Sequence, residues 1–214
     1  MQKKVKALVA VGALCAACVS GTVFAYLTDT KTSPSMDFTV GKVTGTLSGI
    51  SDDIATDLLV PDELVDAAPV LTSTGNVDTI AILELTVPKG DFSLVSGNTV
   101  VSKTDTELFN IQGLDTENWV EFVPTGFSNQ SGESKTFYAC KNVLTTSAAS
   151  TPAAFTGLKF VNAVGKGGAS IANDVEKVVV KADFIQADGI IGTKTAVDAD
   201  VAKSAYAAFY SQNQ

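Results

Sequence analysis

Beyond its first twenty residues the chain carries reactive groups of few kinds: carboxylates, lysine amines, hydroxyls, four tyrosines and one thiol, Cys140. It has no histidine and no arginine among 214 residues. Without histidine there is no Ser-His-Asp or Cys-His nucleophile, no imidazole base poised near neutral pH and no HExxH zinc site. Without arginine there is no arginine finger and no bidentate clamp for phosphate. The remaining types show no catalytic spacing: there is no Ser-x-x-Lys pair and no Asp-Thr-Gly or Asp-Ser-Gly. A pair of carboxylates of the glycosidase kind stays open, because its spacing is set in space and not along the chain. The expectation is a protein that is not an enzyme, with no catalytic residues, no cofactor and no metal ligands to assign.

Three features look chemical at first sight. Asp52, Asp53, Asp57, Asp62, Glu63 and Asp66 crowd around Pro61, but they lack the DxDxDG order and closing Glu of a calcium loop. A solvated acidic loop or short helix at the edge of the fold is expected there. Gly165-Lys166-Gly167-Gly168-Ala169-Ser170 fails the GxxxxGK[ST] order of a phosphate loop and reads as a flexible hairpin turn. Cys140 ends the apolar run Thr136-Phe137-Tyr138-Ala139-Cys140, the setting of a buried structural thiol.

Fifteen lysines against 23 carboxylates give a net charge of −8, which repels polyanions and argues against a nucleic-acid partner. The N-terminus reads as an export address. Lys3, Lys4 and Lys6 precede the small and apolar run Ala7 to Val19, and Val23-Phe24-Ala25 puts small residues where a signal peptidase reads, with cleavage before Tyr26. The apolar run falls short of the roughly 20 residues that span a bilayer, so residues 1–25 are expected to be removed and no membrane attachment to remain. Processing takes three lysines and no carboxylate, leaving a charge of −11. Cys140 is then the lone cysteine, so stability has to come from the core and not from disulfides.

The elements that must position these groups are mainly strands. Segments of three to twelve residues rich in Val, Ile, Thr and Phe, separated by Gly, Asn, Asp, Ser and Pro, predict an all-β fold: a jelly-roll or Ig-like antiparallel sandwich spanning residues 26–214. Expected strands are Phe38–Ser48, Ala68–Ser73, Thr79–Val87, Phe92–Leu94, Thr99–Lys103, Trp119–Val123, Lys135–Val143, Ala154–Val164 and Val175–Gln186. In the last, Val178, Val180, Ala182 and Phe184 oppose Val179, Lys181, Asp183 and Ile185. Thr74-Gly75-Asn76 and Ser96-Gly97-Asn98 are expected turns. Asn129–Glu133 and Val164–Ser170 are expected exposed loops. From Asp198, an N-cap, apolar residues recur at helical spacing and predict a terminal helix over 198–211.

The run AYLTDTKT (Ala25–Thr32) across the cleavage point, FTVGKV (Phe38–Val43), LVPDELVDAAPVLTSTGNVDTIAILELTV (Leu59–Val87) and VVVKADFIQADGI (Val178–Ile190) together form a pattern. In order and spacing it is similar to proteins with the SipW-type signal peptide of Gram-positive bacteria, the family of TasA, CalY and camelysin. The resemblance implies a secreted protein of the cell surface or biofilm matrix with a jelly-roll-like body, cleaved by a SipW-like signal peptidase. It further implies fibres built from copies of the chain itself, with a related minor subunit as a further partner. In such fibres the freed N-terminus, with Tyr26, Leu27, Phe38 and Val40 as the donor strand and residues 26–37 as a flexible segment, adds to the next subunit. Alternatively Phe38–Val43 pairs within its own subunit and only residues 26–36 are donated. The protease activity described for camelysin is not carried over, since this chain has no histidine to hold zinc. A rival class is an adhesin-like module for carbohydrate or host protein, with exposed aromatics near Trp119 or Tyr138.

Overall fold

Ten strands and one helix lie among the residues that the computed structural model describes, 42–50, 62–96, 99–145, 149–161, 163–165, 178–192 and 196–211. The cleavage positions Val23, Ala25 and Tyr26, the donor positions Leu27, Phe38 and Val40, the acidic residues Asp52, Asp53 and Asp57, and residues 166–170 lie outside the described residues. The strands are β1 (Gly45–Ile50), β2 (Leu64–Ser73), β3 (Thr79–Ser96), β4 (Thr99–Glu107), β5 (Phe109–Gln112), β6 (Trp119–Phe122), β7 (Glu133–Cys140), β8 (Gly157–Phe160), β9 (Ala163–Gly165) and β10 (Val179–Gln186); the helix is α1 (Ala199–Ser211).

Two antiparallel sheets form a sandwich, one in the order β1-β2-β8-β5 and the other in the order β10-β3-β7-β6. β3 organises both layers. Its first half is apolar on both faces, as a strand covered on both sides requires. Ala81, Leu83, Leu85 and Val87 meet the first sheet in a core with Leu71, Trp119, Phe155 and Leu158. Ile80 and Ile82 point the other way, toward α1, and join Phe122, Phe137, Ile185, Val201, Ala202, Ala205 and Tyr206. The result is three layers, sheet on sheet on helix. The Asp198 carboxylate accepts the Val201 N–H at 2.8 Å and so caps α1, as its sequence predicted. No helix among the described residues is long and apolar enough to cross a membrane.

The structure departs from the sequence reading in several places. Ala154–Val164 is not one strand: it yields β8, paired with β2 and β5, and β9, paired with β3, so Val164 and Gly165 do not open a loop. Pro88-Lys89-Gly90-Asp91 does not separate two strands. β3 runs through it with a register shift between Gly90 and Phe92; its pairing with β10 ends at Thr86 and with β7 at Pro88, and pairing with β4 starts at Lys89 and with β9 at Phe92. Asp66 is not in a loop or short helix: Leu64, Val65 and Asp66 pair with Lys159, Leu158 and Gly157 of β8, because Ala67 and Leu71 continue an inward-facing alternation that starts ahead of them. β5 was not expected at all. It is a four-residue strand whose pairing with β8 fixes it.

Candidate functional site

On β3 a carboxylate interrupts the apolar stripe that faces the helix. Glu84 follows Ile80 and Ile82 at two-residue spacing and stands in register with Lys181 of β10 and Phe137 of β7. Its side chain is only 4% exposed. Such a group has to be paired, since an isolated buried carboxylate costs several kcal/mol. Lys135 Nζ lies 2.8 Å from Oε1 and Lys181 Nζ 3.6 Å from the same atom, both as ion pairs without the alignment of a hydrogen bond. The Tyr206 hydroxyl of α1 donates to Oε2 across a long 3.5 Å. A second carboxylate shares this face, Asp183, opposite Ile82 on β10, and its Oδ2 is buried without a hydrogen-bond partner among the described residues.

This setting shifts the titration of Asp183, Lys135 and Tyr206. Burial first, then the Glu84 charge, push Asp183 above the usual aspartate range, against a smaller pull from Lys181. The Glu84 carboxylate holds the Lys135 ammonium on its proton, so that lysine moves up. Burial chiefly, with the hydrogen bond to Tyr210 next, drives the Tyr206 phenol far up. Tyr206 also roofs the cluster, its ring 5.2 Å from Phe137, 5.9 Å from Phe122 and 4.3 Å from Tyr210. Two carboxylates do face the same side of one sheet, as a carboxylate mechanism would require, but α1 lies over them, and neither lines the cleft found among the described residues on the other side of β3 and β4. The arrangement fastens the helix to the sheet.

The Asp183 shift has a direct consequence for stability. A carboxyl whose folded pKa is raised binds its proton more tightly in the fold than in the unfolded chain, so its contribution is present at low pH and is lost as pH rises through the folded value. Asp183→Asn keeps the shape without the charge. Its melting temperature should match the parent near about pH 4 and exceed it increasingly toward about pH 8. A difference that stays constant with pH would show that Asp183 is not the titrating group.

The open cleft, of about 360 Å³, lies where β3 and β4 meet β5 and β8. Phe92, Leu94 and Phe160 supply its apolar lining, Glu107 and Asn110 part of its polar lining, and the ion pair of Asp62 with Lys159, at 2.8 Å, belongs to it as well. Such a lining can bind a small polar or amphiphilic group. Apart from Asp62, one of the carboxylates around Pro61, none of these residues stands out in the sequence, because separate strands bring them together. Nearby, Asp105 adopts a positive φ of 46° at an irregularity of β4 opposite the Gly90–Phe92 register shift: Lys89 pairs with it at 2.9 Å, and the Gly132 N–H bonds to its other oxygen, which together hold its carboxyl below the usual range.

Cys140 is buried with a free thiol, and burial pushes that thiol up, away from the reactive thiolate, in keeping with a structural role. The aromatic surface anticipated for an adhesin is not found at Trp119 or Tyr138. They are 2% and 3% exposed, turned inward by the same alternation that builds the inter-sheet core, and the Trp119 indole N–H donates to the Pro152 carbonyl at 3.2 Å. No group of three or more His, Cys, Asp or Glu side chains able to hold a metal ion occurs among the described residues. No protein-family model, no curated protein and no solved structure matches this chain.

Proposed function

We propose that this protein is a secreted structural subunit of biofilm-matrix or cell-surface fibres, non-enzymatic, which joins to copies of itself when the processed N-terminus of one subunit adds as a strand to another. The observation that carries this reading is that both sheets end, among the described residues, in strands with one unpaired side. Unpaired N–H and C=O groups along such an edge are a template for a further strand. The export address and the strongly acidic composition fit the same reading: subunits with a charge of −11 repel at long range, so association has to come from backbone pairing and apolar contact. Head-to-tail contacts of this kind do not close into a ring and give fibres. A SipW-like signal peptidase would act during export, and neither nucleic acid nor membrane is a partner of the mature chain.

Electron microscopy of the purified, processed protein is the test. Fibres are expected, and they should be lost when residues 26–36 are deleted. Discrete monomers under all conditions, unchanged by that deletion, would overturn the proposal. The cleft beside β4 favours a second reading, an adhesin-like extracellular module for carbohydrate or host protein. Saturable binding of a glycan that Glu107→Gln abolishes, in a protein that forms no fibres, would favour it.

A further inference from the structure

The walls of the cleft beside β4 are set by a fixed crossing between the two sheets. β4 ends at Glu107, paired with β3, and β5 begins at Phe109, paired with β8. Between them Leu108 is buried. Its N–H donates to the Pro88 carbonyl at 3.0 Å, and its own carbonyl accepts the Val161 N–H at 3.0 Å. The Asp62 N–H donates to the Phe160 carbonyl at 3.2 Å, and the Phe160 N–H to the Glu63 carbonyl at 2.8 Å. Phe92 and Phe160, both buried, close the inner end. A lining held in place by its own backbone costs little to organise when a ligand enters.

The charges of this lining do not cancel. Asp62 and Lys159 neutralise each other at 2.8 Å on the rim, where both reach water. Glu107 is half-buried, and the lysine in register with it on β3, Lys89, pairs with Asp105 at 2.9 Å instead. Among the described residues no ammonium lies within ion-pair distance of the Glu107 carboxylate, and no donor hydrogen-bonds to it. The cleft therefore offers one uncompensated negative charge beside apolar walls. A carboxylate in that position loses water to any apolar occupant, at a cost in free energy, unless the occupant brings a cation to it.

We propose that this cleft binds a small organic amine, a protonated primary ammonium on an aromatic or aliphatic body, with the ammonium on Glu107 and the body against Phe92, Leu94 and Phe160. The volume, about 360 Å³, suits a ligand of that size. A neutral alcohol of the same shape keeps the apolar contact and loses the charged hydrogen bond. A carboxylate of the same shape meets Glu107 as a like charge, while Lys159 is already engaged by Asp62. The site needs neither fibres nor a second chain, so failure of the fibre reading leaves it standing.

Titration of the purified chain with phenethylamine, followed by two-dimensional amide NMR, tests this. Saturable shifts are expected at the amides of Leu94, Thr106 and Asn110, with a dissociation constant of about 1 mM for so small a ligand. Phenylethanol should bind about tenfold more weakly, and phenylacetate more weakly still. Glu107→Gln should weaken the amine by about tenfold and leave the alcohol unchanged, which also shows that the cleft is intact in the variant. Glu121→Gln takes an equal charge from an exposed position on β6 and should leave the amine's affinity as it was. Equal binding of amine and alcohol overturns the proposal, since the cleft is then an apolar hollow only. Tighter binding of phenylacetate overturns it as well, because Lys159 would then decide the ligand. So do equal losses in the two glutamate variants, which mean general attraction to an acidic chain, and the absence of saturable shifts at the three amides.

Discussion

Phe137→Ala should lower the stability of the folded chain by about 4 kcal/mol, within the range for truncating a fully buried aromatic side chain. Phe137 is 2% exposed and sits at the centre of the helix-facing layer. Its ring contacts those of Phe122, Phe127 and Tyr206 at centroid distances of 5.8, 4.9 and 5.2 Å, so three separate elements close on it: β6, the turn after it, and α1. Truncation leaves a cavity between a sheet and a helix anchored on either side of it, and relaxation can fill little of that space. Domains are held by about 5–15 kcal/mol in all, so this single change should remove a large fraction of the total. Denaturant unfolding followed by the fluorescence of the buried Trp119 would read it. Phe127→Ala, at a half-buried position on the rim of the same cluster, serves as the comparison and should cost clearly less. If Phe137→Ala costs under about 1 kcal/mol, α1 is not packed on the sheet as described.

The sequence announced this layer only in part, for physical reasons that differ from residue to residue. The Asp198 cap and the spacing of Val201, Ala202 and Ala205 are local signals, and α1 follows from them. Alternation from Val178 to Ile185 likewise separated the residues of β10 that face the inter-sheet core from those on the helix side, since side-chain direction in a strand is set by the backbone alone. The burial of Cys140 followed from its apolar run. What local pattern could not convey was where long-range pairing overrides a turn signal. Pro88 and Gly90 look like a break, yet β7 and then β4 hold the chain extended across them. Glu84 in Ile-Leu-Glu-Leu-Thr reads equally well as the solvent side of a half-buried strand. Only a helix more than a hundred residues later puts it under cover. The cleft is of the same kind, assembled from separate strands with no spacing along the chain to betray it.

Glu84 yields the second large effect, and it lies in an asymmetry between the two partners of one ion pair. Lys135→Met removes the closer ammonium from a carboxylate that has almost no access to water, leaving only Lys181 at 3.6 Å. Breaking a buried pair in this way costs up to about 3–5 kcal/mol, and since Lys135 is itself partly exposed and Lys181 remains, a loss of about 2–3 kcal/mol is expected. Glu84→Leu should cost much less. It takes away the buried charge, and Lys135 and Lys181 both reach the surface, so neither ammonium is stranded. It also relieves Asp183 of the neighbouring carboxylate that helps to push its pKa up. Adding Glu84→Leu to Lys135→Met should therefore recover most of the lost stability, a coupling of about 1–3 kcal/mol measured in a double-mutant cycle by denaturant unfolding. Equal losses for the two single changes, adding without coupling in the double variant, would mean that water reaches Glu84. The helix would then be held by its aromatic and aliphatic contacts alone, and the polar cluster would contribute nothing to seating it.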